Sequence, residues 1–261
     1  MESPDSDMPV YVYCLTQSPI EIHSVGIDGN HTVLCAPVGN LFAVFQHIDV
    51  EGWTGDAATK NMNELAWIGP RACHHEEIIE RSMDSSPVFP LPFATLFSNL
   101  KQCELQLLAQ EAQIEAFLHN VSGRREWGVK GVLDRKAAAS ALLGNQPMDF
   151  SGASYLARKR QERDIHLEVE PWLDSVIPPI FEQLAALSAD ARILTAHNRN
   201  ATGDVVFHWA FLVEDSLSES FQRAVSTLGM PNRAKGLELL PSGPWPAYSF
   251  RPNLDTNHAA E

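Results

Sequence analysis

No stretch of the 261 residues holds the roughly 18 consecutive apolar residues that a membrane-spanning helix needs, so the chain reads as a soluble protein. Cysteine is scarce. Cys14, Cys35, Cys73 and Cys103 form no C-x-x-C pair, and their apolar neighbours mark them as small buried hydrophobes in a reducing compartment rather than zinc ligands. Basic residues are outnumbered, 19 Lys and Arg against 33 Asp and Glu, and a formal charge of −14 argues against general nucleic-acid binding, which is built on basic surface. The segment Met1 to Met8 has neither a basic n-region nor an apolar h-region, so no secretory signal is read and the chain is expected in the cytosol. Missing too are a G-x-S-x-G elbow, a G-x-x-x-x-G-K-[ST] loop and a G-x-G-x-x-G after a strand.

What is present is a 44% apolar, 8% aromatic composition, enough for real cores, in a chain of ordinary length for two domains of about 100–150 residues each. The organising stretch is 87–134. Pro90 and Pro92 fix φ and remove two ladder donors, so Val88 to Phe97 should be an edge strand or extended segment. Leu100, Cys103, Leu107, Ile114, Phe117 and Val121 then recur at helical spacing, interrupted only by Gln110. This predicts one long helix over 99–122, capped by Ser98 or Asn99 and stopped by Gly123. Ahead of it, Pro9 to Leu15, Ile22 to Ile27, His31 to Ala36 and Leu41 to Ile48 alternate as strands, with Asp28-Gly-Asn30 as a hairpin turn. Thr59 to Met83 reads as helix broken at Gly69-Pro70.

The second half predicts a strand Glu126 to Asp134, a linker-like stretch, and a helix from Ala153 toward Leu187 with Pro171 and Pro178-Pro179 as kinks or restarts. Strands Ala191 to His197 and Val205 to Val213 follow. Ser216-Leu-Ser-Glu219 is a capping box for a helix Leu217 to Leu228 stopped by Gly229, and Gly236 to Leu240 is a last strand. The order β-α-β-β-α-β is ferredoxin-like. Pro and Gly in Pro241 to Phe250 predict an extended arm held by its aromatics. The fold class is therefore α+β with two domains joined by a long helix. The expected segments are 1–8 disordered, 9–123 an α+β domain, 124–240 the ferredoxin-like domain and 241–261 an extended tail.

Few residues invite chemistry. Cys73-His-His-Glu-Glu77 has metal-ligating composition, but adjacent helical residues diverge by about 100°, so His74 and His75 do not share one ion, and a solvated helix face is the simpler reading. Beside Trp209, His208 suits a satisfied core or rim histidine. Glu168, Glu170 and Asp174 lie on one helix without a nameable acid partner, and Tyr155 near Arg158 and Lys159 is a pairing by spacing alone. Nine of the 19 basic residues fall between Arg124 and Arg163. Arg158, Lys159, Arg160 and Arg163 either pair with Glu162, Asp164 and acids further along, or form a basic face for an acidic partner.

A larger pattern covers most of the chain. Pro87-Val-Phe-Pro-Leu-Pro-Phe-Ala-Thr-Leu-Phe97, Glu126-Trp-Gly-Val-Lys130, Ser151-Gly-Ala-Ser-Tyr-Leu156, Trp209-Ala-Phe-Leu-Val213 and Gly243-Pro-Trp-Pro-Ala-Tyr-Ser-Phe250, in this order, resemble the gas vesicle protein F/L family (GvpF/GvpL). Ala94 departs from the family, which often has Gly after the Phe. The resemblance implies two α+β domains, the second a modified ferredoxin-like one. It also implies a non-enzymatic accessory or minor structural protein of gas vesicles, without catalytic residues, cofactor or metal. Its expected partners are the hydrophobic shell protein GvpA and other gas vesicle accessory proteins, with no nucleic acid and no membrane. The residues singled out for partner contact are Arg158, Lys159, Arg163, Trp245, Tyr248 and Phe250. Against this stand a small-molecule enzyme or ligand-binding protein on the ferredoxin-like domain, and a nucleic-acid module, which lacks the aromatic-rich RNP signature and suffers from the net charge.

Overall fold

Seven consecutive buried residues, Val10–Thr16, form strand β1, and its apolar and aromatic side chains serve both faces of the first sheet. The computed structural model describes residues 8–143, 155–196 and 203–253; expectations for 1–7, 144–154, 197–202 and 254–261 lie outside them. The chain divides into two units, Met1–Gly123 with Trp245–Glu261, and Arg124–Pro244. The architecture is α+β.

In the first unit, β2 (Leu34–Val38), β3 (Leu41–His47), β1 and β4 (Val88–Pro90) lie in the order β2-β3-β1-β4, and β5 (Leu96–Phe97) also pairs with β1. Pro90 thus stands on an edge, where no ladder donor is missed. The hairpin around Asp28 is smaller than expected. Ile22 to Ile27 is not a strand, and only Val25 and Thr32 form a bridge. Asp28 Oδ1 instead accepts from the amides of Asn30 and His31, a side-chain turn that competes with a ladder.

The helix breaks do not fall at proline. α1 (Gly55–Asn61) and α2 (Leu65–Met83) separate at Met62 to Glu64, while Pro70 is carried inside α2 ahead of its buried stripe His75, Ile78, Ile79 and Ser82. The expected single helix over 99–122 is two, α3 (Leu100–Leu108) and α4 (Glu111–Val121). Its seam has no apolar side chain at Gln110, which leaves helical geometry (φ −125°, ψ 8°) and starts α4 through its own carbonyl. The Asn99 side chain caps α3 by accepting from Gln102 N, and Gly123 (φ +67°) takes the left-handed position after α4.

The second unit has β6 (Arg124–Leu133), α5 (Arg135–Leu143), α6 (Tyr155–Ala185), β7 (Asp190–Leu194), β8 (Asp204–Glu214), α7 (Ser218–Arg233) and β9 (Leu237–Trp245). Sheet order β7-β8-β6-β9 places the two split βαβ pairs side by side, as in a ferredoxin-like fold. Part of the expected linker is α5. No restart falls at the prolines of α6: Val169, Leu173, Ile180 and Leu184 keep one buried phase across Pro178-Pro179, and that burial offsets the roughly 3 kcal/mol a helical proline costs. Nor does Gly229 stop α7; it lets Leu239 approach to 3.4 Å from where a Cβ would stand. Asp215–Leu217 forms a 3-10 turn and no side chain caps α7, so the capping box is not made. The last strand runs on to Trp245, since an edge tolerates Pro241 and Pro244. Phe207, Trp209, Phe211 and Phe221 fill the core, with Phe207 and Trp209 stacked at 3.7 Å.

Candidate functional site

Tyr11 and Tyr13 alternate on β1 and so point to one face, where both are fully buried against α2. A buried phenol needs partners. Tyr11 donates to His75 Nδ1 at 2.8 Å and accepts from Ala94 N at 3.1 Å. His75 Nε2 lies 3.2 Å from the Leu91 carbonyl, which only a protonated nitrogen satisfies, so the imidazole is the neutral Nε2–H tautomer. Burial agrees, pushing His75 down to about 4 against the opposing pull of the Leu91 carbonyl. Tyr13 donates to Gln46 Oε1 and accepts from Ile27 N at 2.9 Å. Trp53 and Phe93 close the cluster, their rings 5.3 and 6.4 Å from Tyr11. With both ring nitrogens engaged, His75 has nothing left for a substrate. Ala94, the position noted for its lack of Gly, is held at φ +65°.

The closing segment belongs to this same unit. Phe250 and Ala247 are buried, and half-buried Tyr248 packs on the Tyr11 core and donates to Glu76 Oε1 at 3.0 Å. Burial raises the Glu76 carboxyl above its ordinary value, and the Tyr248 bond opposes the rise. Burial likewise raises the Tyr248 phenol, with the Glu76 carboxylate adding to it. Arg251 Nη1 donates to the Pro90 carbonyl at 2.9 Å, its guanidinium 5.7 Å from the centre of the Phe89 ring. Of the three aromatics singled out for partner contact, Tyr248 and Phe250 are thus committed to their own unit, and Trp245, 41% exposed, is open. No local pattern announces the Tyr11–His75 or Tyr248–Glu76 pairs, which span 64 and 172 residues. The only usable signal was the two alternating tyrosines.

The Cys73 to Glu77 run does not converge. His75 turns inward, while His74 Nε2 bonds the Val25 carbonyl at 2.8 Å. Among the described residues no group of three or more His, Cys, Asp or Glu could hold a metal ion. Cys14 and Cys103 are buried and their thiols pushed up to about 12 by that burial, but Cys35 is half-buried and Cys73 exposed, against expectation.

Several basic residues of the second unit are paired: Arg125 with Asp215 at 3.2 Å, and Arg135 with both Glu170 (2.7 Å) and Asp204 (2.5 Å). His208 stands opposite Lys130 across β6 and β8. Arg158, Lys159 and Arg163 lie on the first turns of α6, and their side chains, like those of Tyr155, Arg160, Glu162 and Asp164, are outside the described residues. No helix among the described residues is long and apolar enough to cross a membrane.

The family profile described as gas vesicle synthesis protein GvpL/GvpF matches residues 9–252. In fold the chain is similar to the crystal structure of the gas vesicle protein GvpF from Anabaena sp. PCC7120, with a TM-score of 0.72 at 18% identity over 94% of this chain and 99% of that one. GvpF from Microcystis aeruginosa is similar with a TM-score of 0.68 at 17% identity, over 94% and 100%. No curated protein sequence matches the chain.

Proposed function

Because this chain belongs to the GvpL/GvpF family of gas vesicle proteins, we propose that it acts in gas vesicle assembly by binding the hydrophobic GvpA-type shell protein and limiting its aggregation during nucleation. The observation that carries this reading is the family match, which runs through both units and the closing segment as far as Pro252. The geometry supports holding rather than chemistry at the buried polar cluster, where Tyr11, Tyr13, Gln46 and His75 already use one another and nearby backbone groups. An apolar dimple lined by Leu15, Val38, Leu41, Leu107 and Glu111 offers no water-sized space. Within the proposal, Trp245 is an aromatic anchor for the partner, and the α6 residues Arg158, Lys159 and Arg163 meet acidic groups on it. Other gas vesicle accessory proteins share the surface, and the site of action is the gas vesicle.

The test is co-expression with a GvpA-type shell protein. The expected outcome is a larger soluble fraction of shell protein and its co-purification with this chain. Equal sedimentation with and without the chain, and no co-purification, overturns the reading.

A further inference from the structure

The turn that joins β4 to β5 is fastened to the buried tyrosine cluster at a strained point. Its two ends are tied to β1 by backbone, Leu91 N donating to the Tyr13 carbonyl at 2.9 Å and Val12 N to the Thr95 carbonyl at 3.0 Å. Between them two side chains hold it: Tyr11 Oη accepts from the Ala94 amide at 3.1 Å, and His75 Nε2 donates to the Leu91 carbonyl at 3.2 Å. Ala94 sits there at φ +65°, a left-handed conformation that a residue with a Cβ keeps only where its surroundings hold it. The turn is also the open wall of the cluster. Pro92 is exposed and residues 93–95 are half-buried, whereas Tyr11, Tyr13 and His75 on β1 and α2 are buried.

The bonds at this point have a fixed direction. Because His75 Nε2 carries its proton toward Leu91, Nδ1 is the acceptor of the Tyr11 hydroxyl, and the same phenol oxygen accepts from Ala94. A proton added at Nδ1 reverses the first of these bonds. The Tyr11 oxygen would then face two donors, and its own hydrogen would be left among the rings of Tyr13, Trp53 and Phe93, whose centres lie 5.0, 5.3 and 6.4 Å away and whose faces offer no comparable acceptor. An imidazolium and an unpaired hydroxyl in one buried site are both relieved by water. The other ionisable groups around His75 are engaged elsewhere. Tyr13, stacked on it at 5.6 Å, is kept neutral by burial and donates to Gln46, and Asp28 beyond it bonds His31. Arg71, one turn earlier on α2, donates to the Trp67 carbonyl, and Glu76 accepts from Tyr248.

We propose that residues 92–95 form a latched turn: protonation of His75 reverses its bond to Tyr11, unseats the Ala94 amide and swings the turn away from β1, so that acid opens this wall of the first unit while the rest of the sheet stays folded. The turn is the part that yields because it is the exposed wall and carries the strain at Ala94. The sign follows from the closed state, in which burial holds His75 down to about 4 against an ordinary 6.5. Closure is therefore fully favoured above 6.5 and is lost as pH falls toward 4. The gap between those two values limits the rise in opening to about 300-fold, and about a hundredfold is expected, since an opened turn returns His75 only partly to water.

The test is hydrogen exchange on the full chain at pH 6.5 and at about pH 4, corrected for the intrinsic pH dependence of exchange, with the His75 ring titrated by NMR in the same samples. Protection of the Ala94 amide should fall by about a hundredfold between the two, tracking the His75 titration, while amides of β3 keep theirs. His75→Gln should abolish the pH dependence, Glu76→Gln should retain it, and Ala94→Gly should raise protection at both pH values by relieving the strain. Equal protection of Ala94 at the two pH values overturns the proposal, as does an equal loss in β3, which would be global unfolding, or a loss undiminished in His75→Gln. Should His75→Gln fail to fold, the wild type decides alone: a loss of Ala94 protection whose midpoint departs from the His75 titration overturns the latch, and coincidence of the two upholds it.

Discussion

Tyr248→Phe removes a single oxygen from the closing segment and leaves the ring to pack as before. The lost bond joins a phenol to a carboxylate, a type that nets about 1.5–3 kcal/mol when well shielded; Glu76 is half-buried, so water recovers part, leaving about 1–2 kcal/mol. For a unit of this size that lowers the melting midpoint by about 3–6 °C. The pH dependence identifies the bond. Burial holds the folded Glu76 carboxyl above the ordinary 4.5, so the folded state takes up its proton at a higher pH than the unfolded chain. Its ionisation therefore destabilises the fold as pH rises from 4.5 through the folded value. Tyr248 opposes that loss, and deleting its hydroxyl enlarges it. The deficit of Tyr248→Phe should be small near about pH 4 and complete by about pH 7. Unfolding of wild type, Tyr248→Phe, Glu76→Gln and the double variant at both pH values forms a cycle with the coupling isolated. A deficit equal at the two pH values, or one undiminished in the Glu76→Gln background, refutes the argument.

Ala94→Gly should stabilise the chain by about 0.5–1 kcal/mol, because relief of the left-handed strain at φ +65° exceeds the added freedom of the unfolded chain; a lower urea midpoint at unchanged m would contradict it. His75 takes up a proton near 4 when folded and near 6.5 when unfolded, so it contributes stability fully above 6.5 that is lost as pH falls toward 4. His75→Gln should flatten the stability profile across that window while lowering the plateau, whereas an equally steep acid limb would assign it to other groups. Reversing Arg158, Lys159 and Arg163 to Glu should weaken shell-protein capture in a salt-sensitive way, and capture unchanged at low salt would return them to ordinary solvated surface.

The signals that the sequence carried faithfully are local ones. β1, the Asn99 cap and the Gly123 stop need only near neighbours, and the β-α-β-β-α-β order follows from elements strung along the chain. Misplaced boundaries share one cause. Pro171, Pro178 and Pro179 are strong local stop signals, yet helix continues through each where the buried stripe keeps its phase, and Pro70 is carried near the start of α2, ahead of the stripe that anchors that helix. Gln110, a weak local signal, marks a true break because nothing apolar at that position holds α3 and α4 in line. Edge position decides the fate of Pro241 and Pro244, and edge position is a property of the sheet rather than of the residues beside them. The Tyr11–His75 and Tyr248–Glu76 pairs lie beyond any local window.

The first unit is assembled from both ends of the chain, with Arg124–Pro244 intervening. On the ribosome its opening 123 residues emerge first, but the piece that seats Ala247, Tyr248 and Phe250 is translated only after the whole second unit. At about 5–20 residues per second that delay is on the order of ten seconds. Over this interval Glu76 lacks its phenol, and the apolar patch that later receives Phe250 faces water in the nascent chain. A polypeptide halted before Trp245 would therefore carry an incomplete core, exposed to chaperones and proteases, until the turn bearing Ala247, Tyr248 and Phe250 seals it.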